Sequence, residues 1–135
     1  VILSDDREEF CNPGVVPGAD EYLAVPMEDL PGKINLHTQS YLVLATRGMM
    51  VDVPGLPALL DSQAAYIGVI GSRRRWTMTR KALLEAGIPE EKINRVHSPI
   101  GLALGAETPE EIAVSIMAEI LSFRSKSSGE SLKYK

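Results

Sequence analysis

Cysteine is almost absent from this chain, because Cys11 is the only one among 135 residues. A single thiol excludes an internal disulfide and any zinc site built from several thiolates, and it is typical of proteins of the reducing cytoplasm. Histidine is nearly as scarce, with His37 and His97 alone. The sequence shows neither a nucleophile–base pair nor a cluster of metal ligands, so we expect a binding protein rather than an enzyme.

Long apolar runs are missing too, and no run approaches the roughly 20 residues that a membrane-spanning helix needs. The N-terminus shows no signal-peptide pattern. Positive charge is not in excess: 14 Lys and Arg residues against 18 Asp and Glu residues give a net charge of −4, which argues against broad nucleic-acid binding. With 44% apolar residues, the composition predicts one soluble cytoplasmic domain, not attached to a membrane.

An initiating methionine is also missing. Val1 opens directly in an apolar segment, VIL, which reads as a strand over residues 1–4. A domain seldom begins inside its core, so we expect the chain to be the C-terminal part of something longer.

The clearest local pattern is a strand followed by a glycine turn and a helix. Residues 66–70 form an apolar run with three β-branched residues, which predicts a strand buried on both faces. Gly71 breaks the strand, and Ser72 is a good N-cap for a helix that we expect to run to about Ala86. Such a unit exposes free backbone N–H groups at the positive end of the helix dipole, which is a ready anion site.

Three arginines, Arg73, Arg74 and Arg75, crowd the first turn of this predicted helix. The helix dipole disfavours cations at that end. A negatively charged partner at the turn would explain the cluster. A solvated charged face that happens to start a helix would explain it as well, so both interpretations stay open.

Acidic residues follow the first predicted strand. In an open α/β sheet, ligands bind at the carboxyl ends of strands, so Asp5 or Asp6 could hold a ribose hydroxyl there. Alternatively, Asp6 and Glu9 resemble a capping box for a short helical turn. Each aspartate could also have one of the two roles.

A polar and cationic corner, formed by Thr46, Arg47 and Gly48, follows the predicted strand over residues 41–45. A Pro/Gly-rich segment then leads into a short helix that we expect over roughly residues 56–62. The corner therefore also belongs to the carboxyl end of a strand.

The surest helix is the last. Thr108 is an N-cap residue, Pro109 is at the first helical position, and Glu111 is at the third. We expect this helix to run to about Arg124 and residues 125–135 to form a polar, disordered tail.

Strands alternate with helices through residues 1–124, which predicts an α/β domain with a doubly wound, mostly parallel sheet. The carboxyl ends of its strands meet at one edge. The residues that follow the strands should therefore lie near one another.

Four segments of the chain closely resemble one family, and they follow its order and spacing. They are DDREEFCN at 5–12, TRGMMVD at 46–52, AYIGVIGSRRR at 65–75 and HSPIGLALGAETPEEIAVSIMAEI at 97–120. They look like the C-terminal Rossmann-like domain of XdhC/CoxI-type accessory proteins, and the resemblance spans residues 1–124.

The resemblance implies an accessory protein of xanthine dehydrogenase and related molybdenum hydroxylases. Family members are implicated in binding the molybdenum cofactor (molybdopterin), assisting its sulfuration and delivering it to the apo-enzyme. The expected partners are therefore a molybdenum hydroxylase apo-enzyme and, for sulfuration, a cysteine desulfurase. We also expect a homodimer, and a chaperone more than a catalyst.

The chain departs from the family pattern in three ways. The family's Rossmann domain begins with a further strand and a glycine-rich turn, which this chain lacks together with the phosphate cradle they form. Met49 stands where the family usually has histidine, which removes an imidazole. Ala103 stands where the family often has aspartate, which removes a carboxylate from the same region.

We predict a cofactor site at the carboxyl edge of the sheet. Helix-end N–H groups, together with the guanidinium forks of Arg47 and Arg73, suit the phosphate of molybdopterin. In this hypothesis Gly71, Ser72 and Arg73 contact the phosphate, and Asp5 or Asp6 hydrogen-bonds pterin or ribose. The residues that match the family motifs are Asp5, Asp6, Arg7, Thr46, Arg47, Gly48, Asp52, Gly71, Ser72, Arg73, Arg74 and the loop 99–101. The cofactor-binding residues that we predict among them are Asp5, Asp6, Thr46, Arg47, Gly48, Gly71, Ser72, Arg73 and Arg74.

Two other functions stay open. An NAD(P)-dependent oxidoreductase domain would share the fold, but the sequence has no G-x-G-x-x-G turn and no convincing proton donor. An assembly fragment that binds no ligand, and dimerises through unpaired strand edges, is the third interpretation.

Overall fold

Strands and helices alternate along the chain in the computed structural model, which describes residues 1–134. Two 3₁₀ turns cover Glu8–Phe10 and Met27–Asp29. The strands are β1 (Ile2–Ser4), β2 (Glu21–Leu23), β3 (Tyr41–Leu44), β4 (Tyr66–Val69) and β5 (Val96–His97). The helices are α1 (Leu30–Lys33), α2 (Met49–Leu60), α3 (Arg73–Glu85), α4 (Glu90–Ile93) and α5 (Pro109–Ser125).

The strands form two parallel sheets, one of β1 and β2 and the other of β3, β4 and β5 in that order. In the second sheet Leu44 pairs with Val69, and Gly68 pairs with His97. Every strand pair is parallel because a helix or a long connection separates the strands along the chain. The predicted Rossmann-like α/β class is confirmed, although the sheet is in two pieces.

The break between the two sheets is a cleft of about 1050 Å³, lined along its length by β1 and β3. In the Rossmann strand order 3-2-1-4-5-6, the first strand separates the second from the fourth. Here β1, with its acidic end, corresponds to the second strand and β3 to the fourth. A first strand in this order would run in the cleft, and residues 1–134 place no strand there.

Helices cover both faces of the three-stranded sheet. On one face, Ile67 and Val69 of β4 pack with Leu56 of α2 and Leu83 of α3 in the main hydrophobic core. All four residues of β4 are buried, as its apolar run predicted. Apolar burial of this kind contributes roughly 1.5–3 kcal/mol for each fully buried aliphatic side chain.

The other face of the sheet packs on α5. Tyr66 is 1% exposed and clusters with Ile116 and Ile120. Gly68 makes room for this packing, because a Cβ there would lie 2.7 Å from the Tyr66 hydroxyl and would collide with Ile100. The sheet is therefore covered on both faces, as doubly wound folds require.

A buried polar contact joins β4 to α5. The Tyr66 hydroxyl donates a hydrogen bond of 2.5 Å to the Glu119 carboxylate, and its ring stacks on His97 with centroids 4.7 Å apart. Burial, reinforced by Glu119, raises the pKa of Tyr66 above its ordinary value. The phenol consequently stays protonated and donates at all ordinary pH values.

Two helix starts confirm the sequence prediction, and one does not. Ser72 caps α3, and Thr108 forms a complete capping box with Glu111 at the start of α5. However, α2 begins at Met49, well before the predicted residue 56. Prolines normally break helices, yet Pro54 and Pro57 both lie inside α2.

The end of the chain differs slightly from expectation. Helix α5 continues to Ser125, and residues 126–134 have no regular secondary structure. The predicted disorder of this tail stays a prediction, and Lys135 lies outside the described residues. No described helix is long and apolar enough to cross a membrane.

We expect Tyr66→Phe to lower the free energy of unfolding by about 1–3 kcal/mol, because a largely buried carboxylate loses its hydrogen-bond donor. Urea denaturation measures the change. Tyr41→Phe is the matched control, since Tyr41 lies beside Tyr66 on the neighbouring strand and its hydroxyl makes no hydrogen bond among residues 1–134. Equal stability of the two variants would contradict a stabilising role for the Tyr66–Glu119 contact.

Candidate functional site

The candidate site lies where β3 and β4 end. Because Leu44 pairs with Val69, the residues two positions further on, Thr46 and Gly71, begin neighbouring turns. Each turn leads into a helix, α2 from Met49 and α3 from Arg73. The carboxyl ends of the two strands thus deliver two helix N-termini to one edge of the sheet.

The first turn of α3 has backbone N–H groups that make no hydrogen bond within the described residues. The Ser72 hydroxyl accepts a hydrogen bond of 3.1 Å from the Arg75 backbone N–H. The backbone N–H groups of Arg73 and Arg74 make no hydrogen bond within the described part of the chain, and both side chains are exposed without an ion pair there. This end of the helix therefore offers two N–H groups and two guanidinium groups to an anion.

Arg75 differs from its two neighbours. Its Nη2 turns inward and donates hydrogen bonds of 2.6 Å to Asp52 and 2.7 Å to the Thr46 hydroxyl. The Thr46 hydroxyl in turn donates to the Asp52 carboxylate, which is completely buried. The interpretation that all three arginines face one partner or solvent is therefore wrong for Arg75.

Two features of the local structure favour glycine at position 71. Its φ of 141° is in the region that side chains disfavour, and a Cβ there would lie 2.9 Å from Cδ of Arg75. Gly48 has a φ of 149° and starts α2, where its carbonyl accepts from the N–H groups of Val51 and Asp52. Both turns thus depend on glycine conformations.

The acidic end of β1 is closed by two arginines. Arg47 binds Asp6 with two hydrogen bonds, 2.9 Å from Nη1 and 3.1 Å from Nη2. Arg7 holds Asp5 through Nε and Nη2 at 3.0 Å each, and its guanidinium lies 4.3 Å from the centre of the Phe10 ring. Two-pronged pairs of this kind fix the orientation of both partners.

These pairs also set the ionisation of the aspartates. The Arg47 guanidinium lowers the pKa of Asp6 to about 2, and hydrogen bonding from Arg7 lowers the pKa of Asp5. Both carboxylates are therefore charged at neutral pH, and each is matched by one arginine. The unpaired positive charge of the edge lies at Arg73 and Arg74.

The predicted capping box of Asp6 and Glu9 is wrong. The 3₁₀ turn over Glu8–Phe10 has Arg7 at its N-cap and no side-chain cap. Instead, Asp5 accepts a hydrogen bond of 2.9 Å from the backbone N–H of Arg7. Asp5 is thus the aspartate that organises this turn.

The predicted site residues fall into two adjoining groups. Asp5, Asp6, Thr46 and Arg47 line the cleft between the two sheets. The second group surrounds the start of α3 and does not line that cleft: Gly71, Ser72, Arg73 and Arg74. Gly48 begins α2 next to the first group. The Arg75–Thr46 hydrogen bond connects the two groups.

Sequence reasoning missed the roles of Asp52 and Arg75. A carboxylate inside the apolar α2 segment is a signal that Asp52 needs a buried partner. Nothing in the local pattern indicates which of three consecutive arginines supplies it. The Arg47–Asp6 pair joins residues 41 apart in the sequence, and the local pattern did not indicate it either.

Comparison with known proteins gives a consistent result. Residues 1–120 match the family described as the XdhC Rossmann domain. The chain is 33% identical over 126 residues to a probable xanthine dehydrogenase subunit of Bacillus subtilis (strain 168), covering 93% of this chain and 36% of that protein. It is 27% identical over 89 residues to the molybdenum cofactor insertion chaperone PaoD of Escherichia coli (strain K12), covering 66% of this chain and 28% of that protein.

A solved structure is similar as well. The crystal structure of a xanthine dehydrogenase from Bacillus halodurans matches the fold with a TM-score of 0.73 at 31% identity, covering 97% of this chain and 37% of that one. The matched region therefore spans only 28% to 37% of the length of these three proteins.

We expect the Arg47–Asp6 pair to persist in solution and to break only in acid. A carboxyl with a lowered pKa keeps its charge as pH falls below the ordinary 3.8, and loses it only near 2. Carboxyl NMR titration should give Asp6 a midpoint of about 2, and Arg47→Met should return it towards 3.8. Arg74→Met is the control and should leave the midpoint unchanged; a normal Asp6 midpoint in the wild-type protein would refute the pairing.

Proposed function

The chain belongs to the XdhC Rossmann domain family, as its motifs predicted, and from this we propose that it binds the molybdenum cofactor for a xanthine dehydrogenase-type molybdenum hydroxylase. The full protein would deliver the cofactor to the apo-enzyme as a chaperone, without a catalytic residue in this domain. The names of the two curated relatives, a cofactor insertion chaperone and a probable xanthine dehydrogenase subunit, support this role.

The observation that carries the proposal is the free anion site at the start of α3. Molybdopterin carries a phosphate, and phosphates bind well at helix N-termini and arginine forks. The N–H groups of Arg73 and Arg74 and their guanidinium groups are available for it. These residues fit the phosphate end of the cofactor, with Gly71 and Ser72 forming the turn beneath it.

The aspartates that follow β1 would recognise the other end of the ligand. When bound, the cofactor supplies the metal centre that the hydroxylase needs. Asp5 and Asp6 are acceptors that suit pterin N–H groups or a ribose hydroxyl, and Thr46, Arg47 and Gly48 lie at the adjacent strand end. Arg7 already binds Asp5 and Arg47 already binds Asp6. A ligand therefore either bonds to the remaining lone pairs of these carboxylates or displaces an arginine.

Several further expectations belong to this proposal. Residues 1–124 would form the cofactor-binding domain, the full protein would be a cytoplasmic homodimer, and a cysteine desulfurase would act with it in sulfuration. The competing oxidoreductase interpretation uses the same sheet edge, since Asp6 follows β1 at the position where dinucleotide-binding folds hold a ribose. Ligand binding separates the two.

We expect Arg73→Ala/Arg74→Ala to weaken cofactor binding by the full-length protein about tenfold or more, because hydrogen bonds to charged groups contribute roughly 1.5–3 kcal/mol each. Cofactor released anaerobically from a purified molybdenum hydroxylase is the ligand, and the fluorescence of the oxidised pterin measures the amount bound. The dependence of affinity on salt should also become shallower, since two cations are lost.

The control removes two cations elsewhere. Lys81→Ala/Lys133→Ala changes the net charge equally, and Lys81 lies in α3 beyond the first turn. Similar affinities for both double variants would overturn the assignment of the phosphate to α3. Micromolar binding of NAD(H) or NADP(H), with no binding of the cofactor, would instead favour the oxidoreductase.

A further inference from the structure

We infer that Arg75 is a positioning residue that holds the turn before α2 against the turn before α3, so that the two parts of the cofactor site keep one relative geometry. This inference rests on the proposed function. Arg75 lies in the same first turn as Arg73 and Arg74 but points the opposite way. Its task would be to fix the geometry of the site rather than to bind the anion itself.

Three groups from three elements form a closed triangle. Nη2 of Arg75 in α3 donates to the Asp52 carboxylate of α2 at 2.6 Å and to the hydroxyl of Thr46, after β3, at 2.7 Å. The third side is the hydrogen bond from the Thr46 hydroxyl to Asp52. Displacing either turn therefore breaks two of the three contacts.

The burial of Asp52 makes the triangle rigid. Its side chain is 0% exposed, so its charge has no access to water and depends on Thr46 and Arg75. Removing one partner of a buried pair leaves an uncompensated charge, which is strongly unfavourable. The Asp52 backbone N–H also binds the Gly48 carbonyl at 3.1 Å, which ties the carboxylate to the start of α2.

The anion-binding turn holds Arg75 in return. The Ser72 hydroxyl accepts from the Arg75 backbone N–H at 3.1 Å, and the missing side chain of Gly71 leaves space for Cδ of Arg75. Two residues that would contact the phosphate thus also direct the Arg75 side chain inward. The conformation of this turn and the buried triangle are therefore coupled.

The contacts of Arg75 argue for positioning and against direct binding. The side chain is 23% exposed, and Nη2 is already used by Thr46 and Asp52. Its Nε is buried and has no hydrogen-bond partner in residues 1–134. An incompletely satisfied buried ion pair is weak evidence for stability, because replacing such a pair by apolar residues of similar volume is often neutral or stabilising. Alignment of the two turns is the better explanation of the pair.

Charge and geometry predict opposite results at Asp52, which makes the test sharp. In the full-length protein, Asp52→Asn removes a negative charge near the anion site, so a purely electrostatic effect would tighten cofactor binding. Positioning predicts weaker binding, by about tenfold or more. Arg75→Lys keeps the positive charge but cannot reproduce the guanidinium contacts, so we expect a similar loss with an unchanged salt dependence.

A readout without ligand tests the same inference independently. Hydrogen–deuterium exchange in these variants should become at least about tenfold faster at the Val51 and Asp52 amides, which bind the Gly48 carbonyl, and at the Arg75 amide, which binds Ser72. Arg80→Lys is the matched control, because Arg80 lies in the same helix and pairs with Glu90 instead. It should change neither exchange nor binding.

Each outcome decides between the alternatives. Tighter binding by Asp52→Asn, or wild-type binding by Arg75→Lys, would overturn the positioning role. If these variants do not fold, Thr46→Val keeps the buried ion pair and should still accelerate exchange in both turns. A wild-type protein that binds no cofactor would refute the proposed function, while exchange would still decide the role of Arg75.

Discussion

The parallel pairing of β3 with β4 is the constraint from which the carboxyl edge follows. Because Leu44 is opposite Val69, both crossovers leave the sheet at one level, and the turns that start α2 and α3 are neighbours. Nothing about Thr46 or Ser72 alone would make them part of one site. The pairing brings together a hydroxyl, two helix N-termini and several guanidinium groups that are far apart in sequence.

The charges at this edge of the sheet are paired one by one, which the net charge of the whole chain does not reveal. A net charge of −4 describes the whole chain, and three aspartates near the edge each take one arginine: Asp5 with Arg7, Asp6 with Arg47 and Asp52 with Arg75. These pairs leave Arg73 and Arg74 as the local excess of positive charge. An acidic protein can thus present a small cationic surface at one helix start.

Local sequence patterns predicted local structure well. The strand at β4, the Ser72 cap and the Thr108 capping box each follow from a few adjacent residues, and the alternation of elements indicated the fold class. The contacts of Arg47 and Arg75 could not be predicted, since they join residues 23 to 41 positions apart and depend on the final strand register. The early start of α2 was missed because two prolines inside it outweighed the evidence for a helix.

Gly68 has a consequence for how freely this sequence can change. Its bare backbone leaves room for Ile100 and for the Tyr66 phenol, and even one added methyl group would meet both together. The phenol is anchored to Glu119 of α5, so it cannot move aside without losing that hydrogen bond. A larger side chain at this position would require Ile100 and Tyr66 to rearrange together, so the sequence tolerates little change at position 68.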